Sequence, residues 1–326
     1  MSEPEFPVID AADLRARARV NEALSRHTTA RVGGPADLLI EARSTAELVA
    51  LVQRADAMDL PCHVLGGGSN VLVSDRGVRG LVILNRAREV RTRLADTSAR
   101  VDADAGVALI SLARTCIEGG IGGLEWAIGV PGTLGGAIVG NAGAHGADMA
   151  ACVNMVRVLR RGASAPEWWT PRQLAFAYRS TALKAFSPAA RPVVLNALLD
   201  LRRDHRANLE RRATEFNEKR RASQPPGATM GSMFKNPPGD FAGRLIEAAG
   251  LKGHQIGGAQ ISTRHANFFV NTGTATAADI HSLIELARHE VQTRFDVVLA
   301  LEVELLGEWD AIAALDEGDA PLEIGS

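Results

Sequence analysis

The chain has 326 residues, a formal net charge of −2, 46% hydrophobic residues and 23% charged residues. This length and apolar fraction suit one large or two smaller globular domains with a buried core. The near-neutral charge excludes a broad electrostatic grip on nucleic acid, and aromatics, at 4%, are too few for base-stacking platforms.

The chain reads as alternating helices and strands. Ser44 and Glu47 have the spacing of a capping box, and Leu48, Leu51 and Val52 follow at helical spacing. That helix is predicted to end near Asp59-Leu60-Pro61. A short strand, His63-Val64-Leu65, runs into Gly66-Gly67-Gly68-Ser69-Asn70, and a second is predicted from Gly80 to Leu84. Residues 107–118 are predicted helical, with Leu109, Leu112 and Cys116 on one face. A glycine-rich run follows, to Gly146. Residues 155–160 and 193–201 read as strands, Arg202 to Arg206 as a boundary, and about 207–221 as a basic helix. A short helix over 245–251 is punctuated by Gly253. Residues 276–293 form an amphipathic helix with Ile280, Leu283, Ile284, Ala287 and Val291 on one face. The last predicted strand runs from Val297 to Leu306, and no repeat of solenoid period is visible.

Cys62, Cys116 and Cys152 are widely spaced and form no CxxC, so neither a disulfide framework nor a zinc site is expected, and a reducing cytoplasm fits best. The histidines form no HExxH, and no metal is expected. The N-terminal Met1-Ser2-Glu3-Pro4-Glu5 has no apolar core, so no secretory signal is expected. Residues 126–144, "WAIGVPGTLGGAIVGNAGA", carry no charge and are nearly long enough to cross a bilayer. Gly136 and Gly140 even make a GxxxG. Pro131, six glycines and Asn141 make this a poor helix, however, and no membrane span is expected.

Two glycine clusters carry the first chemical signal. In "LGGGSNVLVSD", residues 65–75, a strand leads into three glycines and a serine. Such a turn lets the backbone approach a ligand closely, and its successive N–H groups form an anion nest that a dinucleotide pyrophosphate would fit. The bland reading is a bare glycine turn. It is neither a Walker A loop nor a Rossmann fingerprint, since GK[ST] and GxGxxG are both missing. Residues 119–146 hold eleven glycines among varied apolar residues. They read either as a tightly packed turn region or as a backbone-lined groove against which a flat ring system can lie. In "GATMGSMFKNP", residues 227–237, Ser232 sits in an apolar, glycine-flanked stretch without the GxSxG of a nucleophile elbow.

Six segments together resemble one family. "TTARVGGPADLL" (28–39), "LGGGSNVL" (65–72), "GVPGTLGGAIVGNAGAHG" (129–146), "YRST" (178–181), "GSMFKNP" (231–237) and "LEVELLG" (301–307) occur in the order found in UDP-N-acetylenolpyruvoylglucosamine reductases. The resemblance spans about Leu24 to Leu306. It implies an α+β protein: an FAD-binding module of the vanillyl-alcohol-oxidase type over residues 1–205, and a smaller α/β substrate-binding domain over 206–326, whose last strand returns a glutamate to the site. It implies non-covalent FAD, with the pyrophosphate on Gly66, Gly67, Gly68, Ser69 and Asn70. The flavin would lie against Gly129, Val130, Pro131, Gly132, Thr133, Gly135, Gly136 and Asn141. It further implies that NADPH reduces the flavin, whose N5 then delivers hydride to the enolpyruvyl double bond of UDP-N-acetylglucosamine enolpyruvate, giving UDP-N-acetylmuramate for peptidoglycan.

By the same resemblance, Ser232 is the proton donor, Arg179 faces the substrate carboxylate or enolate, and Glu304 completes the catalytic set. The reading of Ser232 as an ordinary turn serine stands beside this. In the final segment Glu302 and Glu304 alternate with Leu301, Val303 and Leu305, and periodicity cannot choose between the two glutamates; the family pattern selects Glu304. Tyr178, the only tyrosine, and Lys235, Asn236, Arg220, Gln224 and Asn267 are candidate substrate contacts, although a charged helix such as that bearing Arg220 is ordinarily just solvated. Only a short tyrosine-free segment follows Thr181, so the chain resembles the shorter subtype, and another segment must cover the uridine diphosphate. A small-molecule substrate, no membrane and no nucleic acid, and a cytoplasmic monomer are the expected setting. The competing readings are a flavin-dependent sugar or alcohol oxidase and a non-enzymatic UDP-sugar-binding regulator.

Overall fold

The computed structural model describes Pro7 and residues 9–309; the acidic residues 1–5 lie outside these. Four strands form a first sheet in the order Arg19–Ala23, Pro35–Ala42, Val78–Asn85, Cys62–Leu65. The first pair is antiparallel and the other two are parallel. Residues 80–85 of the central strand are all buried, as expected for a parallel strand covered on both faces. Helix Thr45–Ala57 covers one face through Leu48, Leu51 and Val52. Its capping box forms only by half. Ser44 Oγ accepts from Glu47 N at 3.1 Å, but Glu47 turns its carboxylate to Arg43 N and to Arg17.

The second sheet is antiparallel, in the order Glu167–Trp169, Val153–Leu159, Val193–Arg203, Ser98–Asp104, Val90–Leu94. Helix Leu109–Glu118 packs on it through the predicted Leu109, Leu112 and Cys116. The glycine run folds into a 3-10 turn, Glu125–Ala127, and a short helix, Leu134–Val139. Among the described residues no helix is long and apolar enough to cross a membrane.

Helix Arg206–Ser223 connects to the C-terminal part while packing back on the second sheet's side. Leu209 and Ala213 bury against Ile117, and Arg212 pairs with Glu125 at 2.7 Å and Asp204 at 2.6 Å. Beyond it, helices Ala242–Ala248 and Ala277–Phe295 enclose a small sheet, Gln255–Ile256, Ala259–Ile261, Phe269–Asn271. The first of these helices starts three residues before the predicted position and is closed by Gly250, not Gly253, with φ +79°. The second carries a full capping box of Thr276 and Asp279, and its five predicted apolar residues are fully buried.

The predicted strand from Val297 to Leu306 contracts to Glu304–Leu306, which pairs parallel with Val71–Val73 directly after the glycine loop. Residues 300–302 instead run beside residues 233–235, held by Lys235 N to Ala300 O and Glu302 N to Met233 O, both 2.9 Å. One isolated bridge, Phe234 with Leu301, is all the ladder this neighbour provides. The alternation was real, but no continuous partner strand was there to receive it.

Candidate active site

Both glycine clusters line one cavity of about 540 Å³. They meet because neither has side chains in the way. A Cβ on Gly66 would fall 2.2 Å from Thr133 Oγ1, and one on Gly67 would fall 2.9 Å from Gly132 Cα. Only glycine permits this approach. Of the expected flavin contacts, Gly66 to Asn70, Val130, Pro131, Gly132, Thr133, Gly135 and Gly136 line the cavity. Gly129 stands behind it, with φ +83° and the side chain of Arg220 packed on its open face. Asn141 is buried and committed to Asp148, Ala177 O and Ala150 N. Asn70 spends its amide on Glu302 O at 2.9 Å, which ties the loop to the C-terminal segment.

Ser232 lies on the same wall. Met230 and Met233 on either side of it are buried, and the segment is pinned by Met233 N to Asn267 O. Anchoring the flanking apolar side chains in the core leaves the hydroxyl on the cavity. Gly231, with φ +86° and open space where a Cβ would stand, makes the turn into this segment. Asn267 bonds both N–H and C=O of Phe234, at 2.9 and 2.8 Å, so it serves as a backbone clamp and not as a cavity donor. Asn236 receives Ala242 N at 3.1 Å at the start of helix Ala242–Ala248. Lys235 does not line the cavity, although its charge acts on Glu302 and Lys184.

The charged wall is assembled from three segments. Tyr178 and Arg179 form the tip of a two-residue turn closed by reciprocal Ala177–Ser180 hydrogen bonds. Tyr178 is 55% exposed, outside the lining. Arg179 has φ +53°, a strained region for a non-glycine residue. Its guanidinium donates to Gly143 O at 2.6 Å, and Nε stands 2.9 Å from Glu302 Oε1 without hydrogen-bond alignment. Burial pushes the Glu302 carboxyl above its ordinary range, against the opposing pull of Arg179, Lys184 and Lys235. Glu304 pairs with Arg191 at 2.7 Å and Lys184 at 3.5 Å. Burial holds the Lys184 ammonium below its ordinary range. Lys184 and Arg191 were missed from sequence, and so was the burial of Glu302 in the same cluster. The only signal for Lys184 was its place five residues after Arg179.

Lys219, Arg220, Ser223 and Gln224 of the basic helix also reach the cavity. Arg206 and Arg212 are paired with carboxylates. Arg220 has no carboxylate partner among the described residues, and burial lowers its pKa. A half-buried guanidinium without a carboxylate partner is poised for an anion. Next to it His145, with φ +54°, stacks on Phe216 at 4.4 Å between ring centroids. All three cysteines are buried and free, their thiols pushed up to about 12 by burial. No metal-ligating cluster is present among the described residues.

Residues 36–162 match the FAD binding domain family, and residues 223–306 match the family described as UDP-N-acetylenolpyruvoylglucosamine reductase, C-terminal domain. The chain is 46% identical to UDP-N-acetylenolpyruvoylglucosamine reductase 2 of Symbiobacterium thermophilum, over 89% of this chain and 92% of the relative. It is 44% identical to the reductase of Heliobacterium modesticaldum, over 91% of this chain and 93% of that one. The crystal structure of the Thermus caldophilus reductase superposes with a TM-score of 0.73 at 34% identity, covering 89% of this chain and 99% of that one. With its two glycine clusters, its serine and its charged wall gathered on one cavity, the chain belongs to the UDP-N-acetylenolpyruvoylglucosamine reductase family.

Proposed function

We propose that the protein reduces the enolpyruvyl group of UDP-N-acetylglucosamine enolpyruvate to give UDP-N-acetylmuramate for peptidoglycan synthesis, with NADPH as reductant and FAD as resident cofactor. The observation that carries this reading is the convergence of Ser232, Arg179, Glu302 and Glu304 on the cavity that both glycine clusters line. The residues suit FAD. Gly66 and Gly67 pack so closely on Thr133 and Gly132 that the two loops form one continuous backbone wall of the cavity, and backbone N–H groups in such a turn favour a pyrophosphate. FAD, when bound, supplies the hydride, which it has taken from NADPH.

The protein's own part is to manage charge and a proton. Hydride addition to one alkene carbon leaves negative charge on its neighbour, delocalised into the carboxylate. The Arg179 guanidinium stabilises that charge. Ser232 Oγ–H donates the proton to carbon. A hydroxyl is a weak acid, so the Arg179, Lys184 and Arg191 cations on the same cavity matter; a positioned general acid contributes roughly 10²–10⁴-fold. Glu304, held by Arg191 and Lys184, orients the enol and the acid. Arg220 and Gln224 are assigned to the diphosphate, and in the absence of a tyrosine loop the basic helix supplies the cover. We take residues 1–205 as the flavin part and 206–326 as the substrate part, with helix Arg206–Ser223 as the shared wall, in a cytoplasmic monomer.

The test is direct. Purified protein should be yellow, release FAD on acid precipitation, and consume NADPH in step with added enolpyruvyl substrate. Hydrogen peroxide formed from a simple sugar or alcohol, without that substrate, would favour an oxidase instead.

A further inference from the structure

His63 is a polar side chain that the proposed chemistry leaves unused. It sits on the Cys62–Leu65 strand, three residues before Gly66, and lines the cavity. Its Nδ1 is buried with no hydrogen-bond partner. Burial, reinforced by the Arg161 guanidinium, pushes the imidazole pKa down to about 4, so the ring is neutral at working pH. A neutral imidazole offers one donor and one acceptor, and an unpaired buried polar group is costly enough to require an explanation.

The surroundings of His63 specify what kind of group would satisfy it. Cys62–Leu65 is an edge strand, paired only with Val78–Asn85. Residues 62–66 line the cavity consecutively, which alternating side chains cannot do from one face; the open backbone edge is therefore presented. Across from it, Val193 and Val194 are paired on one side only, to Leu159 and Val158. Pro188 and Pro192 add flat apolar surface. Of the cations at this end, Arg161 is consumed by Asp56, Cys62 O and Ala189 O, Arg191 by Glu304 and Leu183 O, and Arg86 donates to Gly66 O. The slot is thus apolar on its walls, its cations already paired, and fringed by backbone donors and acceptors. A phosphate would find no free cation there. A purine matches it, with two flat faces and an edge that carries an amino donor beside ring-nitrogen acceptors.

We infer that His63, with the open edge of the Cys62–Leu65 strand, forms the subsite that reads the adenine base of the dinucleotide. This rests on the placement of FAD proposed above. With the pyrophosphate at residues 66–70 and the flavin against 130–136, the adenosine arm leaves the loop on the strand side, where His63 stands. The base supplies the missing partner of the imidazole, so His63 sets the preference for FAD over FMN.

The test uses the full chain stripped of flavin by concentrated bromide, then titrated with FAD and separately with FMN by flavin fluorescence. His63→Ala should weaken FAD binding about tenfold, the usual scale of one lost hydrogen bond to a buried group, and leave FMN binding unchanged. His63→Gln, which keeps a donor and an acceptor, should stay within about threefold of the wild type for both. No loss of FAD affinity in His63→Ala, or equal loss for FAD and FMN in both variants, overturns the inference while leaving the cofactor placement standing. Equal affinity of the wild type for FAD and FMN overturns both, since no base contact would then contribute.

Discussion

The cavity has two walls built on opposite principles. One, from residues 66–70 and 130–136, is shaped by backbone, and its defining side chains are hydrogen atoms. The other, from Arg179, Lys184, Arg191, Glu302 and Glu304, is made of long charged side chains from three distant segments. The loop-to-loop contact in the glycine wall tolerates almost no change, because a Cβ on Gly66 collides with Thr133 and one on Gly67 with the Gly132 backbone. A charged wall distributes its work, so single changes there should be graded and should separate by role.

The largest expected effect is therefore on the glycine wall. Gly67→Leu should abolish flavin retention, since its side chain would have to occupy space 2.9 Å from Gly132 Cα. A folded variant that still carries stoichiometric FAD would remove the basis for placing the pyrophosphate there. Next, Ser232→Ala should leave reduction of the flavin by NADPH largely intact and slow the second half-reaction by roughly 10²–10⁴-fold. Stopped-flow of each half separates these, and equal slowing of both would mean that the hydroxyl serves the fold or the flavin.

The charged wall is sharpened by its two glutamates. Glu304→Gln should lower turnover by about 10²-fold, on the scale of an active-site acid or base. From sequence alone Glu302→Gln reads as nearly silent. Its burial against Arg179 raises the expected loss to about tenfold, or roughly 1.4 kcal/mol. Steady-state kinetics on the pair checks the order; a severe loss at Glu302 with a mild one at Glu304 would exchange their roles.

The smallest effect concerns stability. The Glu302 carboxyl is raised above its ordinary range in the folded protein, so the folded state binds this proton more tightly than the unfolded one. Its ionisation then costs stability once pH exceeds the folded value, and the cost vanishes below the ordinary carboxylate range. Glu302→Gln, a mimic of the protonated form, should raise Tm by on the order of 2 °C at pH 8, with the gain fading toward pH 4. A gain that is flat across this range would show that ionisation of Glu302 is not its source.

This wall-by-wall difference also explains what was legible beforehand. The amphipathic helix Ala277–Phe295 and the burial of Leu109, Leu112 and Cys116 followed from period alone, because burial of one stripe is a local property of spacing. The glycine clusters were legible as close-approach loops for a similar reason: glycine at a given position reports a local steric demand. That Gly66 and Gly67 lie against Thr133 and Gly132 was not contained in either stretch.

Ion-pair partners were decided only by the tertiary structure. Asn267 and Asn236 looked like substrate contacts, yet the Asn267 amide is spent at both ends on Phe234, and Asn236 Oδ1 accepts from Ala242 N, since a buried backbone group takes whichever polar side chain the fold brings nearest. Strand alternation placed Glu302 and Glu304 together, but not their assignment to Arg179 on one hand and Arg191 with Lys184 on the other. The residues, their periodicities and the ordered motifs were properties of the sequence by itself. Which charges face each other, and which polar atom is left waiting for a ligand, depended on distances between segments up to a hundred or more residues apart, and Coulomb and hydrogen-bond energies depend on those distances and on burial, not on order along the chain.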